Sequence, residues 1–258
     1  MYSHCFLTGR HWPKSAMQIA YRRGFKVISI SRAGFGDSSL NAESSAMLIS
    51  EHVRDYHEVI SHLGVSGCGI FAYSTGVATA YAFALAYPEI VSKVVALNAV
   101  PPILKRKDAS ELNAGFRAGA LVALFAPTSL RLLCNLAAKK FSNEGKNLGK
   151  PLLFPDYDYE SAESEDVLEA SRRNSQEAIK NGGEAYWREI SYCTTDWAAS
   201  APMSNHLPAV TLVRSQDSPF VQQMAQAKFA QRINAKNICV PSIIPFLTGQ
   251  LDTVLKEF

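Results

Sequence analysis

The sequence has little that would direct it to a membrane, a nucleic acid or a redox cofactor. Its most apolar stretch, residues 118–126, is far shorter than the roughly 20 residues a bilayer-spanning helix needs. The formal net charge is only +3, from 26 basic and 23 acidic side chains, too small a field to recruit a polyanion or a charged membrane surface. The five cysteines (Cys5, Cys68, Cys134, Cys193, Cys239) are odd in number and scattered, with no CxxC pair. Reduced thiols are therefore expected rather than a disulfide framework. No basic region followed by an apolar core opens the chain, so no secretory leader is expected and the protein reads as soluble and cytoplasmic. Residues 31–38 contain Gly34 and Gly36 but lack a third glycine and a directly following helix, which excludes a dinucleotide fingerprint. No cofactor and no metal are expected. The acidic run at residues 156–169 reads as a solvated loop and helix start.

What is present suits a globular enzyme-sized domain. With 258 residues, 47% apolar and 19% charged, the chain is long enough for one α/β domain carrying an insertion. Residues 5–9 read as a short strand entering a glycine turn, 15–23 as a helix closed by Gly24, and 26–30 as a β-branched second strand. Apolar residues at helical spacing from Met47 to Leu63 end at Gly64. A buried strand is expected at 68–72, a helix at 77–86 and another strand at 91–97, ended by Pro101 and Pro102. This alternation predicts a doubly wound, mainly parallel sheet. From residue 103 to 206 the pattern is helical and interrupted by Pro127, Pro151 and Gly182–Gly183, so an inserted helical cap is expected over a core made of residues 1–102 and 207–258. The sheet resumes at 209–213, followed by a helix at 222–233, a strand at 237–240 and a last helix at 251–258.

The most informative stretch is Ala72-Tyr73-Ser74-Thr75-Gly76, between the strand at 68–72 and the helix at 77–86. Small residues at both ends allow a turn so sharp that strand and helix backbones nearly touch. Such a turn forces the central serine into a strained conformation with its hydroxyl presented. The Thr75 N–H at the helix start is then placed to meet an oxyanion.

Four segments, taken in order, resemble the α/β-hydrolase superfamily. Residues 32–38, Arg-Ala-Gly-Phe-Gly-Asp-Ser, resemble its Arg-Pro-Gly-(Tyr/Phe)-Gly-x-Ser turn. His62-Leu63-Gly64 leads into the Ser74 elbow, Tyr87-Pro88-Glu89 closes the elbow helix, and Ser215-Gln216-Asp217 resembles the acid-bearing turn. The resemblance implies an α/β-hydrolase fold with a helical cap and a Ser–His–acid hydrolase acting on small carboxylic esters or related acyl substrates. Ser74 matches the nucleophile, Asp217 the acid and Thr75 one oxyanion donor. Gly9 matches the turn after the first strand, which makes the Arg10 N–H the second donor, with Thr8 where the family has histidine. The alternative acid position holds Asn98.

Two departures follow. Pro245 stands 28 residues after Asp217, where the family carries its base, and the strand pair that the family places ahead of the first buried strand has no counterpart here. Of the six histidines (His4, His11, His52, His57, His62, His206), His11, just past Gly9, is the one expected on the catalytic edge as a surrogate base. Two readings stay open: a serine hydrolase with weakened activity, or a catalytically inactive member of the fold that binds a small apolar ligand or a protein partner beneath the cap. Cap residues Phe116, Leu124 and Trp187 give that space an apolar lining in either case.

Overall fold

The computed structural model of the chain describes residues 1–6, 8–40, 48–144, 162–199, 208–216, 218, 221–240 and 248–258. Its centre is a five-stranded sheet, all neighbours parallel, in the order β1-β2-β3-β4-β5. The strands are β1 (Tyr2–Ser3), β2 (Cys68–Tyr73), β3 (Val91–Leu97), β4 (Ala209–Ser215) and β5 (Lys236–Val240). Parallel strands require crossovers, and helices supply them. These are α1 (Lys14–Arg22) and α2 (Leu48–His62) between β1 and β2, α3 (Gly76–Ala86) between β2 and β3, and α9 (Gln223–Arg232) between β4 and β5. Helix α10 (Thr248–Leu255) follows β5. Both faces of the central strands are therefore covered, which is why β2 and β3 read as near-continuous apolar runs instead of alternating. Ile70, Ala72, Val94, Val95, Ala96 and Leu97 are fully buried.

Between β3 and β4 the described residues form five helices: α4 (Arg106–Ser110), α5 (Ala114–Phe125), α6 (Pro127–Glu144), α7 (Ala162–Ile179) and α8 (Glu184–Tyr192). The break expected at Pro127 falls between α5 and α6, and Pro127 itself opens α6. Proline is favoured at a first helical position because its missing N–H has no intrahelical acceptor to lose.

Two expectations at the amino end need correction. The first strand is not at residues 5–9 but at Tyr2–Ser3, and Thr8 N donates back to Cys5 O at 3.1 Å in a turn. Ser3 pairs with Ala72 in the sheet, so the chain leaves the sheet at His4. The second expected strand, residues 26–30, contributes only a single bridge, Ser29 to Tyr2, with Tyr2 N bonded to Ile28 O at 2.8 Å. A two-residue β1 offers no longer ladder to pair with.

The junction of β1 and α3 is tightly packed. A Cβ placed on Gly76 would lie 2.4 Å from Ser3 O and 2.5 Å from His4 O. Only glycine lets the elbow helix approach the first strand so closely.

Candidate active site

The elbow forms as its sequence dictates. Ser74 follows β2 directly with φ +51°, a left-handed conformation that costs a non-glycine residue roughly 1–2 kcal/mol. Its backbone is pinned on both sides, with Ser74 N donating to Leu97 O at 2.9 Å and Ser74 O accepting from Val100 N at 3.3 Å. The residue is fully buried, and its Oγ has no hydrogen-bond partner among the described residues. A buried hydroxyl left unbonded costs about 1–3 kcal/mol. That cost and the backbone strain fall on one residue. Thr75 precedes α3, so its N–H belongs to the helix-start donors without an intrahelical acceptor.

Arg10, expected to offer the second donor, faces α7. Arg10 N points to Glu177 Oε2 at 3.5 Å, and Arg10 Nε bonds Glu177 Oε1 at 3.2 Å. Arg10 thus belongs to a contact with α7, away from the elbow. The N–H that reaches the elbow is that of Phe6, which donates to Thr75 Oγ1 at 3.2 Å. The physical reason is the register of β1. Because the strand ends at Ser3, the turn that faces α3 is made by His4, Cys5 and Phe6, while Gly9 lies against α7. There a Cβ would meet Glu177 Oε2 at 2.6 Å. His4, not Thr8, is the residue that leaves the strand.

No described histidine is bonded to Ser74. His11 Nε2 lies 3.1 Å from Glu177 Oε1 and its N–H donates to Asn174 Oδ1 at 2.8 Å, so α7 holds it and it does not serve the elbow. His4 is buried, with Nδ1 at 2.9 Å from Cys5 O and Nε2 at 3.4 Å from Arg32 N. Burial first, and then the Arg32 charge, hold its pKa well below the ordinary imidazole value. His52 on α2 is likewise buried, and the same two causes keep it neutral. Asp217, Pro245 and His206, which carry the expected acid, the vacant base position and another histidine, lie outside the described residues.

Asn98, at the alternative acid position, is described. It follows β3 with φ +50°, and its Oδ1 accepts from Ser215 N at 3.0 Å and Ser215 Oγ at 3.1 Å. It ties the carboxyl ends of β3 and β4 together on the same edge of the sheet as Ser74.

A charged pair that the sequence did not reveal lies beneath the elbow. Arg32 and Glu189 of α8 are both fully buried, with Arg32 Nε 2.8 Å from Glu189 Oε1 and Arg32 Nη2 on the same oxygen. Arg32 Nη1 also donates to His4 O at 2.6 Å. Burial by itself lowers the guanidinium pKa, but Glu189 beside it more than restores it and Arg32 stays charged. Burial pushes the Glu189 carboxyl upward against the pull of Arg32. One turn further along, Tyr192 Oη donates to Thr75 O at 3.1 Å. Helix α8 is therefore fixed to the elbow by polar contacts.

Over the same edge sits a small aromatic cluster. The Phe6 ring stacks on Phe116 of α5 (centroids 5.6 Å, 24°) and meets Tyr186 of α8 at 5.1 Å. Ala123, Leu130, Cys134, Ile190 and Trp187 complete this cluster, whereas Leu124 packs on the main core. No described helix is long and apolar enough to cross a membrane.

A family model described as alpha/beta hydrolase fold matches residues 2–242. Among solved structures, a carboxylesterase from the thaumarchaeon Nitrososphaera gargenis shares 15% identity at a TM-score of 0.58, over 100% of this chain and 90% of that one. An epoxide hydrolase from Vigna radiata shares 17% at a TM-score of 0.63, again over 100% and 90% of the two chains. Among curated proteins, epoxide hydrolase 4 of Mus musculus is 23% identical over 78 residues, 30% of this chain and 22% of that protein. The matched segment therefore spans about a fifth of that relative's length (22%).

Proposed function

We propose that this chain, which belongs to the α/β hydrolase fold family, is a serine hydrolase of small carboxylic esters or related acyl compounds, with turnover weakened because no imidazole among the described residues is bonded to the nucleophile. The observation that supports this reading is Ser74 itself: a left-handed serine on a strand-to-helix turn, with a buried Oγ that has no hydrogen-bond partner among the described residues, next in sequence to Thr75, whose Oγ1 accepts from Phe6 N. In this reading Ser74 Oγ attacks the substrate carbonyl, and the N–H groups of Thr75 and Phe6 receive the oxyanion. The Phe6 N–H leaves Thr75 Oγ1 to do so. Residues 103–206 form the cap over this site, and Asp217 is the acid ancestral to a triad.

The chemistry of the nucleophile discriminates between the two kinds of neighbour. Attack of a serine hydroxyl on an epoxide carbon makes an ether, which water does not cleave, so the enzyme stops after one event. Attack on an acyl carbon makes an ester, which water can hydrolyse. Esters fit Ser74 and epoxides do not.

Without a base the serine is a poor nucleophile. Loss of the base of such a triad lowers turnover about a millionfold and leaves roughly 10³–10⁴-fold over water. The second reading, an inactive member of the fold that binds a small apolar ligand or a protein partner, draws on the same fact: no described imidazole is bonded to Ser74. Labelling with a small fluorophosphonate, with Ser74→Ala as the control, separates them. Slow, Ser74-dependent labelling supports the hydrolase, and a folded wild-type chain that stays unlabelled over days refutes it.

A further inference from the structure

Ser74 is fully buried, so an acyl group reaches it only if something above it gives way. Phe6 lies directly over this turn, since its N–H meets Thr75 Oγ1 at 3.2 Å. Its ring is held between Phe116 and Tyr186. The three rings differ in how they are held. Phe6 is tied through its own backbone to the elbow. Tyr186 rides on α8, which the Arg32–Glu189 pair and the Tyr192–Thr75 bond fix to the core, as does Ile103 N on Cys193 O at 2.8 Å. Phe116 rides on α5, whose sequence Ala-Gly-Phe-Arg-Ala-Gly-Ala-Leu-Val-Ala-Leu-Phe carries one polar side chain. Among the described residues that side chain, Arg117, bonds backwards, to Leu112 O at 2.8 Å and Ser110 O at 3.1 Å. Helix α5 has a polar tether to its surroundings at its amino end, where its N-cap residue Asn113 donates from Nδ2 to Ser218 O at 2.5 Å; the rest of it is held by apolar packing, which is non-directional and tolerates sliding, whereas α8 is held by charge-assisted bonds that do not.

We infer that Phe116 is the specificity-determining residue of this site: its ring, stacked on Phe6, sets the size of the acyl group that reaches residue 74, and α5 is the element that yields. The inference rests on the reading that position 74 is the reacting position, and it deepens that reading by restricting the substrates to short acyl groups.

The test reads access to position 74 without requiring Ser74 to be reactive. Ser74→Cys places a thiol there, and peptide mass spectrometry separates it from the five native cysteines. Two reagents of different size are compared, iodoacetamide and a pyrene maleimide, each normalised to its rate with free cysteine. With Phe116 present, the maleimide is expected to lag iodoacetamide at the introduced thiol by about tenfold or more, as misfit in a shaped apolar pocket commonly gives. Adding Phe116→Ala should raise the maleimide rate about tenfold and leave iodoacetamide within about threefold. Phe116→Trp should slow both. If Phe116→Ala fails to melt cooperatively, the Phe116→Leu and Phe116→Trp pair decides by the same order of rates. A maleimide rate indifferent to residue 116 in folded protein overturns the inference. A thiol series that behaves as expected while the wild-type chain resists fluorophosphonate overturns only the nucleophile reading.

Discussion

Replacing Gly76 with alanine tests the elbow at the point where strand and helix are closest. The added methyl would stand 2.4 Å from Ser3 O and 2.5 Å from His4 O. Carbon and oxygen do not normally approach within about 3.3 Å, so the overlap is close to a full ångström. Both oxygens belong to backbone, and no side chain can swing aside to relieve the contact. Overpacking in a core costs about 1–3 kcal/mol, and a clash against two carbonyls belongs at the upper end. For a chain of this size, about 3 kcal/mol lowers the melting temperature by about 6–12 °C. The alternative to that cost is a shift of β1 away from α3, which would carry the Phe6 N–H with it. A displacement of about 1 Å is enough to lower reactivity about a hundredfold, so Ser74 labelling by fluorophosphonate should fall further than stability alone explains. The contrasting variant is Gly119→Ala on α5, where an added Cβ meets nothing within 4 Å and helix propensity favours alanine by about 0.5–1 kcal/mol. Thermal melts followed by circular dichroism compare the two. A Gly76→Ala chain that melts within a degree or two of wild type would show that β1 and α3 are not in contact as described, and the elbow geometry would fall with it.

Further outcomes follow from the same contacts. Glu189→Gln leaves Arg32 charged and unpaired in the core, so the urea midpoint should drop by an amount worth about 3–5 kcal/mol; the double replacement Arg32→Met with Glu189→Leu should recover most of it. Asp166 of α7 accepts from Ser15 N at 2.8 Å and Ser15 Oγ at 2.9 Å; burial alone would raise its carboxyl pKa, but these bonds hold it below the usual range. A depressed carboxyl stabilises the fold above its unfolded pKa of about 3.9 and loses that contribution as pH falls through the folded value. The melting gap between wild type and Asp166→Ala should therefore be constant from about pH 5 to 8 and close in more acidic buffer, and a gap that widens in acid would refute the assignment. Hydrolysis of p-nitrophenyl acetate should be near background and flat from about pH 5 to 8, because no described imidazole serves Ser74; a sigmoidal rise abolished by His11→Ala would reverse that conclusion. Pro245→His should raise Ser74 labelling, and Asp217→Asn added to it should remove most of the gain; a folded variant with unchanged reactivity counts against the triad ancestry.

The strand, turn and helix around Ser74 were legible in the sequence and the turn after β1 was not. Residues 68–102 carry strong local signals: apolar strands, an alanine-rich helix and a turn whose small residues have no other reason to be there. They folded as read, from β2 through α3 to β3. The place where the chain leaves the sheet was not legible because β1 is two residues long. No periodicity exists in so short a strand, and Gly9 offered a more conspicuous turn than His4-Cys5. The group of Phe6 that meets Thr75 Oγ1 is a backbone N–H, which leaves no mark on the choice of side chain. Glu189 and Arg32 are 157 positions apart, one on an amphipathic helix and one in a loop, and each alone reads as a solvated charge. Their pairing is a property of the tertiary fold. Phe116 and Trp187 were singled out from composition, but that both join Phe6 in one cluster depended on the crossing of α5 and α8.

The buried pair of Arg32 and Glu189 also bears on modularity. An inserted cap is commonly pictured as an accessory that can be trimmed, exchanged or grafted while the core persists. Here excision of the helices between β3 and β4 would strand a guanidinium in the interior, strip Thr75 O of its Tyr192 donor and leave Arg10, His11 and Ser15 without Glu177, Asn174 and Asp166. The core therefore cannot be inherited or transplanted without α7 and α8, whereas α5, tied by a polar contact at its amino end and otherwise packed through apolar side chains, is the part a lineage can redraw at less risk to the rest.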